Sequence, residues 1–156
     1  MNVLLDNIIF SLQRVGGVSL VWSEHLKRII EDRDLNLKCI EYDHKNFFRD
    51  EITNDFENII KERFKRPLFI ERYINPKPIN FKGLFHSSYY RFVKDKKVCN
   101  VTTVHEFTYE YFRKGIPKLI HSYQKMNAIN NSEKILCISE YTKSDLLRFN
   151  PKINEE

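Results

Sequence analysis

Residues 2–22 read NVLLDNIIFSLQRVGGVSLVW, and the class of fold turns on how this stretch is divided. The apolar-rich run from Asn2 to Leu12 predicts a strand and its exit loop. Gly16 and Gly17 then open a helix of about four turns, in which Val18, Val21, Trp22, Leu26, Ile29 and Ile30 recur at helical spacing. Glu24, Lys27, Arg28 and Glu31 fall between them. A strand, a glycine turn and an amphipathic helix make the first unit of an alternating α/β chain.

The rest of the sequence repeats that alternation. Residues 37–42 alternate like a second strand, and 43–52 read as loop around Phe47 and Phe48. Residues 54–66 predict an amphipathic helix with Phe56, Ile59, Ile60 and Phe64 on one face, ended by Pro67. Pro76 and Pro78 make 72–82 irregular, and a short strand from Gly83 leads into His86-Ser-Ser-Tyr-Tyr-Arg. The β-branched stretch 98–104 predicts a buried strand. Helices follow at 107–113 and 118–130, the second entered at Pro117. A last strand at 134–138 precedes a helix over 139–149, with Ser139 as N-cap or just before it. Strands separated by helices imply a doubly wound parallel sheet with right-handed crossovers. Neither an internal repeat nor a linker divides the chain, so 1–156 reads as one Rossmann-like α/β domain.

Composition limits the classes of function. The 156 residues are 42% hydrophobic and 30% charged, with four Gly and five Pro, which excludes disordered and collagen-like chains. No apolar run approaches the roughly 20 residues of a membrane span. With Asp6 inside the first apolar run, no secretory leader is expected. Cys39, Cys99 and Cys137 lie far apart without a CxxC pair, so they read as small hydrophobes of a reducing, cytoplasmic compartment. The sequons at Asn100 and Asn130 are then chance matches. The net charge of +5 suits an anionic partner, and the densest basic patches are 61–66 and 91–97. No nucleic-acid-binding signature accompanies the basic and aromatic residues of 89–97, and no nucleic acid is expected as partner.

The polar residues are informative by position. In open parallel sheets ligands collect beyond the carboxyl ends of the strands, where helix N-termini and loop amides converge. Four polar clusters directly follow predicted strands: 13–17, 86–91, 105–106 and 139–142. Gly16 and Gly17 would permit positive φ and a close approach of an anion to the helix N-terminus. They form neither a GxGxxG fingerprint nor a phosphate-binding P-loop, so neither NAD nor ATP is implied and no cofactor is expected. His105, at a strand end, could bond a substrate hydroxyl or exchange a proton near neutral pH, with Glu106 orienting it or binding another hydroxyl. Tyr89, Tyr90 and Arg91 could stack on or hydrogen-bond a sugar or nucleotide, and read equally as buried tyrosines beside a surface arginine; His86 is a further candidate for binding substrate. Ser139 and Thr142 are candidates for binding substrate or phosphate, though with Glu140 they look chiefly like helix-entry chemistry. The histidines lack metal-ligand spacing, Asp32-Arg33-Asp34 reads as a solvated helix end, and no serine nucleophile motif is present.

Taken together, four stretches resemble the N-terminal domain of GT-B-fold glycosyltransferases, more narrowly the group 1, or family-four, enzymes of bacterial capsule and lipopolysaccharide assembly. They are Asp6-Asn-Ile-Ile-Phe-Ser-Leu-Gln-Arg-Val-Gly-Gly-Val-Ser, Phe85-His-Ser-Ser-Tyr-Tyr-Arg, Thr103-Val-His-Glu-Phe and Ile138-Ser-Glu-Tyr-Thr-Lys-Ser-Asp-Leu. They occur in the family's order and span nearly the whole chain. The resemblance implies that Gly16 and Gly17 lie near donor phosphates and acceptor. It implies that His105 lines the cleft by the transferred sugar; the family's usual next residue is Asp, where this chain has Glu106.

Such enzymes move a sugar from a nucleotide-sugar donor to an acceptor hydroxyl without a metal, usually with retention. Their second domain carries most of the donor site, including paired glutamates eight positions apart. The expectation is therefore an acceptor-side half, incomplete at its C-terminal end, lacking the donor domain and inactive alone. Its acceptor would be a polysaccharide or lipid-linked glycan. Lys61, Arg63, Lys65 and Arg66 on the predicted helix 54–66 add the expectation of peripheral contact with the inner face of a membrane. The alternative is a non-catalytic sugar-, nucleotide- or membrane-binding module that complements a separate donor domain.

Overall fold

The computed structural model describes residues 1–52, 58–77 and 80–153. Six strands form one parallel sheet: β1 (Asn2–Asp6), β2 (Asn36–Glu41), β3 (Ile59–Lys61), β4 (Gly83–Ser87), β5 (Val98–Val104) and β6 (Lys134–Cys137). Their order across the sheet is β3-β2-β1-β4-β5-β6, with every neighbouring pair parallel. The chain therefore runs outward from β1 on one side and, after β4, outward on the other. This is the doubly wound, Rossmann-like arrangement, with its switch point between β1 and β4.

The intervening helices are α1 (Ile9–Leu12), α2 (Gly17–Glu31), α3 (Phe47–Asp50), α4 (Leu68–Glu71), α5 (Thr108–Phe112), α6 (Gly115–Asn130) and α7 (Glu140–Phe149). Side chains alternate along each strand, so the sheet has two packed faces. On one, Val3, Leu5, Leu37 and Cys39 pack against Trp22 and Leu26 of α2. On the other, Leu4, Ile40 and Phe85 pack with Val93 and Val98, and Val104 meets Ile129 of α6 and Leu146 of α7. Gly83 is the glycine that close packing requires: its φ is +149°, and a Cβ there would lie 2.4 Å from the Asn2 carbonyl oxygen.

The elements depart from the expected ones at several places, α3 within the expected loop 43–52 and the short α4 among them. Residues 9–12 form a helical turn rather than a strand's exit loop. It buries Ile9 and Phe10 side by side against the α2 face, which alternation in an extended chain would not allow. Residues 59–61 are an edge strand, not part of a helix. Ile59, Ile60 and Lys61 pair with Cys39, Ile40 and Glu41, and the β-branched pair fits a pleated ladder better than a helix. The expected helix positions 54–57 lie outside the described residues. Lys61, Arg63, Lys65 and Arg66 are exposed on a strand and loop, so the single helical face proposed to bring them together is not there. Finally, α6 starts at Gly115, and Pro117 sits inside its first turn. No helix among the described residues is long and apolar enough to cross a membrane.

Candidate functional site

All the strands are parallel, so the segments following β1, β4, β5 and β6 emerge at one end of the sheet. The four polar clusters share that rim, but their side chains do different things there.

The Gly16-Gly17 turn begins α2 without any left-handed residue. Gly16 has φ 179°, extended backbone open to any residue, and Gly17 is already helical. The positive φ that the glycines would permit is not used; a Cβ on Gly16 would lie 2.5 Å from Gln13 Oε1, and nothing lies within 4 Å of one built on Gly17. Gln13 holds the turn, its Oε1 accepting from the Ser19 amide at 3.2 Å.

Next to it, the switch point is filled from inside. Asp6 at the end of β1 accepts from Arg91 Nε at 2.8 Å and Ser87 Oγ at 2.7 Å, and a further Arg91 nitrogen bonds its other oxygen. Arg91 also donates to the Tyr42 hydroxyl at 2.8 Å. Arg91 is 2% exposed and Asp6 fully buried, so Arg91 is an interior ion-pair partner and not the surface arginine the sequence suggested. On the other face, Trp22 Nε1 bonds Asn7, which bonds Glu41, which holds Arg49 through both carboxylate oxygens. His86 points into that face, edge-on to Trp22 and near His25. Its Nε2 lies 2.9 Å from Thr103 Oγ1, and burial pushes its imidazole down to about 3. At neutral pH it is an uncharged packing residue.

The open space lies beyond β4 and β5. A cavity of about 220 Å³ is bordered by Gln13 and Val18 beside the glycine turn, by Tyr89 and Tyr90 after β4, and by His105 and Glu106 after β5. Arg72, Tyr109 and His121 close the remaining side. It is smaller than the roughly 300–1,000 Å³ typical of drug-sized ligands and suits one monosaccharide-sized group. Burial pulls the His105 imidazole below its ordinary value, opposed by the Glu106 carboxylate, so at neutral pH it offers one N–H and one lone pair. Glu106 is exposed, and its Oε2 accepts from Thr108 at 2.7 Å.

Thus Tyr89, His105 and Glu106 meet at one cavity with Gly16 and Gly17 just behind Gln13 and Val18. His86 and Arg91 lie beneath it in the interior. Ser139 caps α7 by accepting from the Thr142 amide at 3.1 Å, and Thr142 is buried where α7 starts. Ser139 faces a different depression, of about 560 Å³, between α6, β6 and α7. A further one, of about 830 Å³, lies by Glu41, Arg49 and Lys61. Sequence reading missed Arg72, Tyr109 and His121. Arg72 follows a single helical turn in a proline-rich stretch, and His121 falls in mid-helix, so neither stands at a recognisable strand end.

Comparison with known proteins finds no match to a family model, a curated protein or a solved structure.

Proposed function

We propose that this chain is the acceptor-side half of a retaining, metal-independent glycosyltransferase, with His105 as the residue that touches the reacting sugar. The observation that supports it best is the cavity at the carboxyl ends of β4 and β5. There a neutral histidine, a carboxylate and several aromatic rings surround a volume fit for one sugar ring. Tyrosine faces suit the apolar side of a pyranose, while His105, Glu106 and Gln13 present donors and acceptors for its hydroxyls. The donor's phosphates would lie toward the N-terminus of α2, where Gly17 leaves the approach open. The nucleotide and its sugar would be held chiefly by a second domain, which makes this chain inactive by itself.

Saturation-transfer NMR with methyl glycosides tests the reading. Sugar-ring protons are expected to receive saturation from the protein, and His105→Ala or Tyr89→Ala should remove at least about tenfold of the affinity. Binding unaffected by either change would overturn the assignment of this cavity. Turnover of a nucleotide sugar by this chain alone would overturn the half-enzyme reading.

A further inference from the structure

We infer that the Arg72–His121 side of this cavity binds an oxyanion, a phosphate or carboxylate carried by the acceptor. The inference rests on the cavity being an acceptor site and names the charge its ligand brings.

Arg72 is a cation of this rim with no ion-pair partner among the described residues. Its guanidinium lies over the rings of Tyr89 and Tyr73, at 4.8 and 5.2 Å, and one terminal nitrogen donates to the Tyr89 hydroxyl. Its Nε is buried without a hydrogen-bond partner, and no carboxylate pairs with it among the described residues. A charged guanidinium whose Nε has lost water without a hydrogen bond in return gains by receiving an acceptor. The arginine is also held in place: its carbonyl oxygen accepts from Gln124 Nε2 of α6 at 2.7 Å.

His121 supplies the second group. It is 8% exposed, and its Nδ1 has no hydrogen-bond partner among the described residues. The ring is stacked on Tyr109 at 3.9 Å between centroids and meets Tyr90 edge-on at 5.7 Å, so it cannot swing away to find one. The charges facing it are Arg72, Lys125, Glu110 and Glu106. Lys125 and Glu110 pair with each other at 2.8 Å, and Ser122 also bonds Glu110. Glu106 is taken up by Thr108 at the exposed lip. Arg72 therefore stands at this end without a carboxylate partner among the described residues, with the Glu106 carboxylate at the far lip, and Arg113 sits 5.8 Å from the Tyr109 ring nearby. The cavity is bipolar: an oxyanion fits between Arg72 and His121, and sugar hydroxyls face His105, Glu106 and Gln13.

The experiment is NMR titration of the whole chain labelled with ¹⁵N at arginine and histidine. The probes are inorganic phosphate, glucose 6-phosphate, glucuronate and methyl glucoside. Phosphate and both charged sugars are expected to shift the Arg72 Nε and His121 Nδ1 signals. At least one charged sugar should bind about tenfold or more tightly than the glucoside, the tighter one distinguishing phosphate from carboxylate. Arg72→Gln should erase that advantage, and Arg72→Lys should keep part of it. The lysine variant decides the matter if the glutamine variant loses its dispersed spectrum.

Equal affinity for charged and neutral sugars, or an advantage that survives Arg72→Gln, overturns the oxyanion site and leaves the acceptor reading standing. Phosphate binding at Arg72 and His121 with no sugar binding at all overturns the acceptor reading and keeps the anion site. Binding of none of the probes overturns both.

Discussion

Two arginines at the same end of the sheet have opposite surroundings. Arg91, at the β1–β4 switch point, is enclosed by Asp6 and the Tyr42 hydroxyl, and its remaining nitrogen reaches the Ile74 carbonyl oxygen at 3.3 Å. Arg72, a short distance round the rim, has aromatic faces, one tyrosine hydroxyl and a buried Nε with no partner among the described residues. A fully enclosed ion pair is architecture, since nothing outside can reach it. An arginine oriented by rings and deprived of a counter-ion is arranged for something that arrives from solution. In many doubly wound sheets the switch point receives the ligand. Here its β1–β4 crevice is closed by the chain's own ion pair, and the open space is moved one strand along, to β4 and β5.

The largest expected effect breaks the enclosed pair. Arg91→Met leaves the Asp6 carboxylate buried and unpaired and should cost about 3–5 kcal/mol of unfolding free energy in urea titration. Adding Asp6→Asn should recover part of that loss. A cost below about 1 kcal/mol for Arg91→Met would erase the contrast with Arg72.

A second effect of several kcal/mol separates the two regions by pH. Burial holds His86 down at about 3 and His121 down at about 4, while both titrate near 6.5 when unfolded. The unfolded chain therefore binds more protons between these values. Stability should be full above about pH 6.5 and fall as the pH is lowered toward 3. Urea midpoints measured from pH 8 to 4 check the sign, and His86→Gln should flatten the acid limb. Phosphate should protect against the His121 share of the loss and leave the His86 share as it is.

The smallest effect belongs to the open region. Arg72→Gln should change stability by about 1 kcal/mol or less, since no ion pair is broken and only a neutral hydroxyl contact and ring packing are lost. A cost matching that of Arg91→Met would make Arg72 a structural residue too.

Much of the fold was legible in the sequence because its determinants are local. The helical spacing from Val18 to Ile30, the β-branched run 98–104 and the Ser139 cap each act within a few residues, and the structure has α2, β5 and α7 there. The signal failed where one local pattern suited two structures. Ile59 and Ile60 fit a helix face as well as an edge strand, and pairing with β2 decided between them. Residues 9–12 belong to an apolar-rich run, whose period cannot separate strand from helix. Of the candidate site, His105, Glu106 and Tyr89 were legible because strand ends in a parallel sheet face one rim. Arg72, Tyr109 and His121 were not, since nothing in their neighbouring residues distinguishes them.

The sequence by itself therefore determined the alternation of strand and helix, the parallel sheet and the rim on which polar groups collect. All of these follow from periodicity and chain-crossing rules. Only the tertiary structure decided which polar groups are satisfied. Arg91 finds Asp6 across 85 residues, and Gln124 fixes Arg72 across 52. Whether a buried charge has a partner depends on contacts that no window of neighbouring residues contains, and that difference separates the enclosed arginine from the one left open to a ligand.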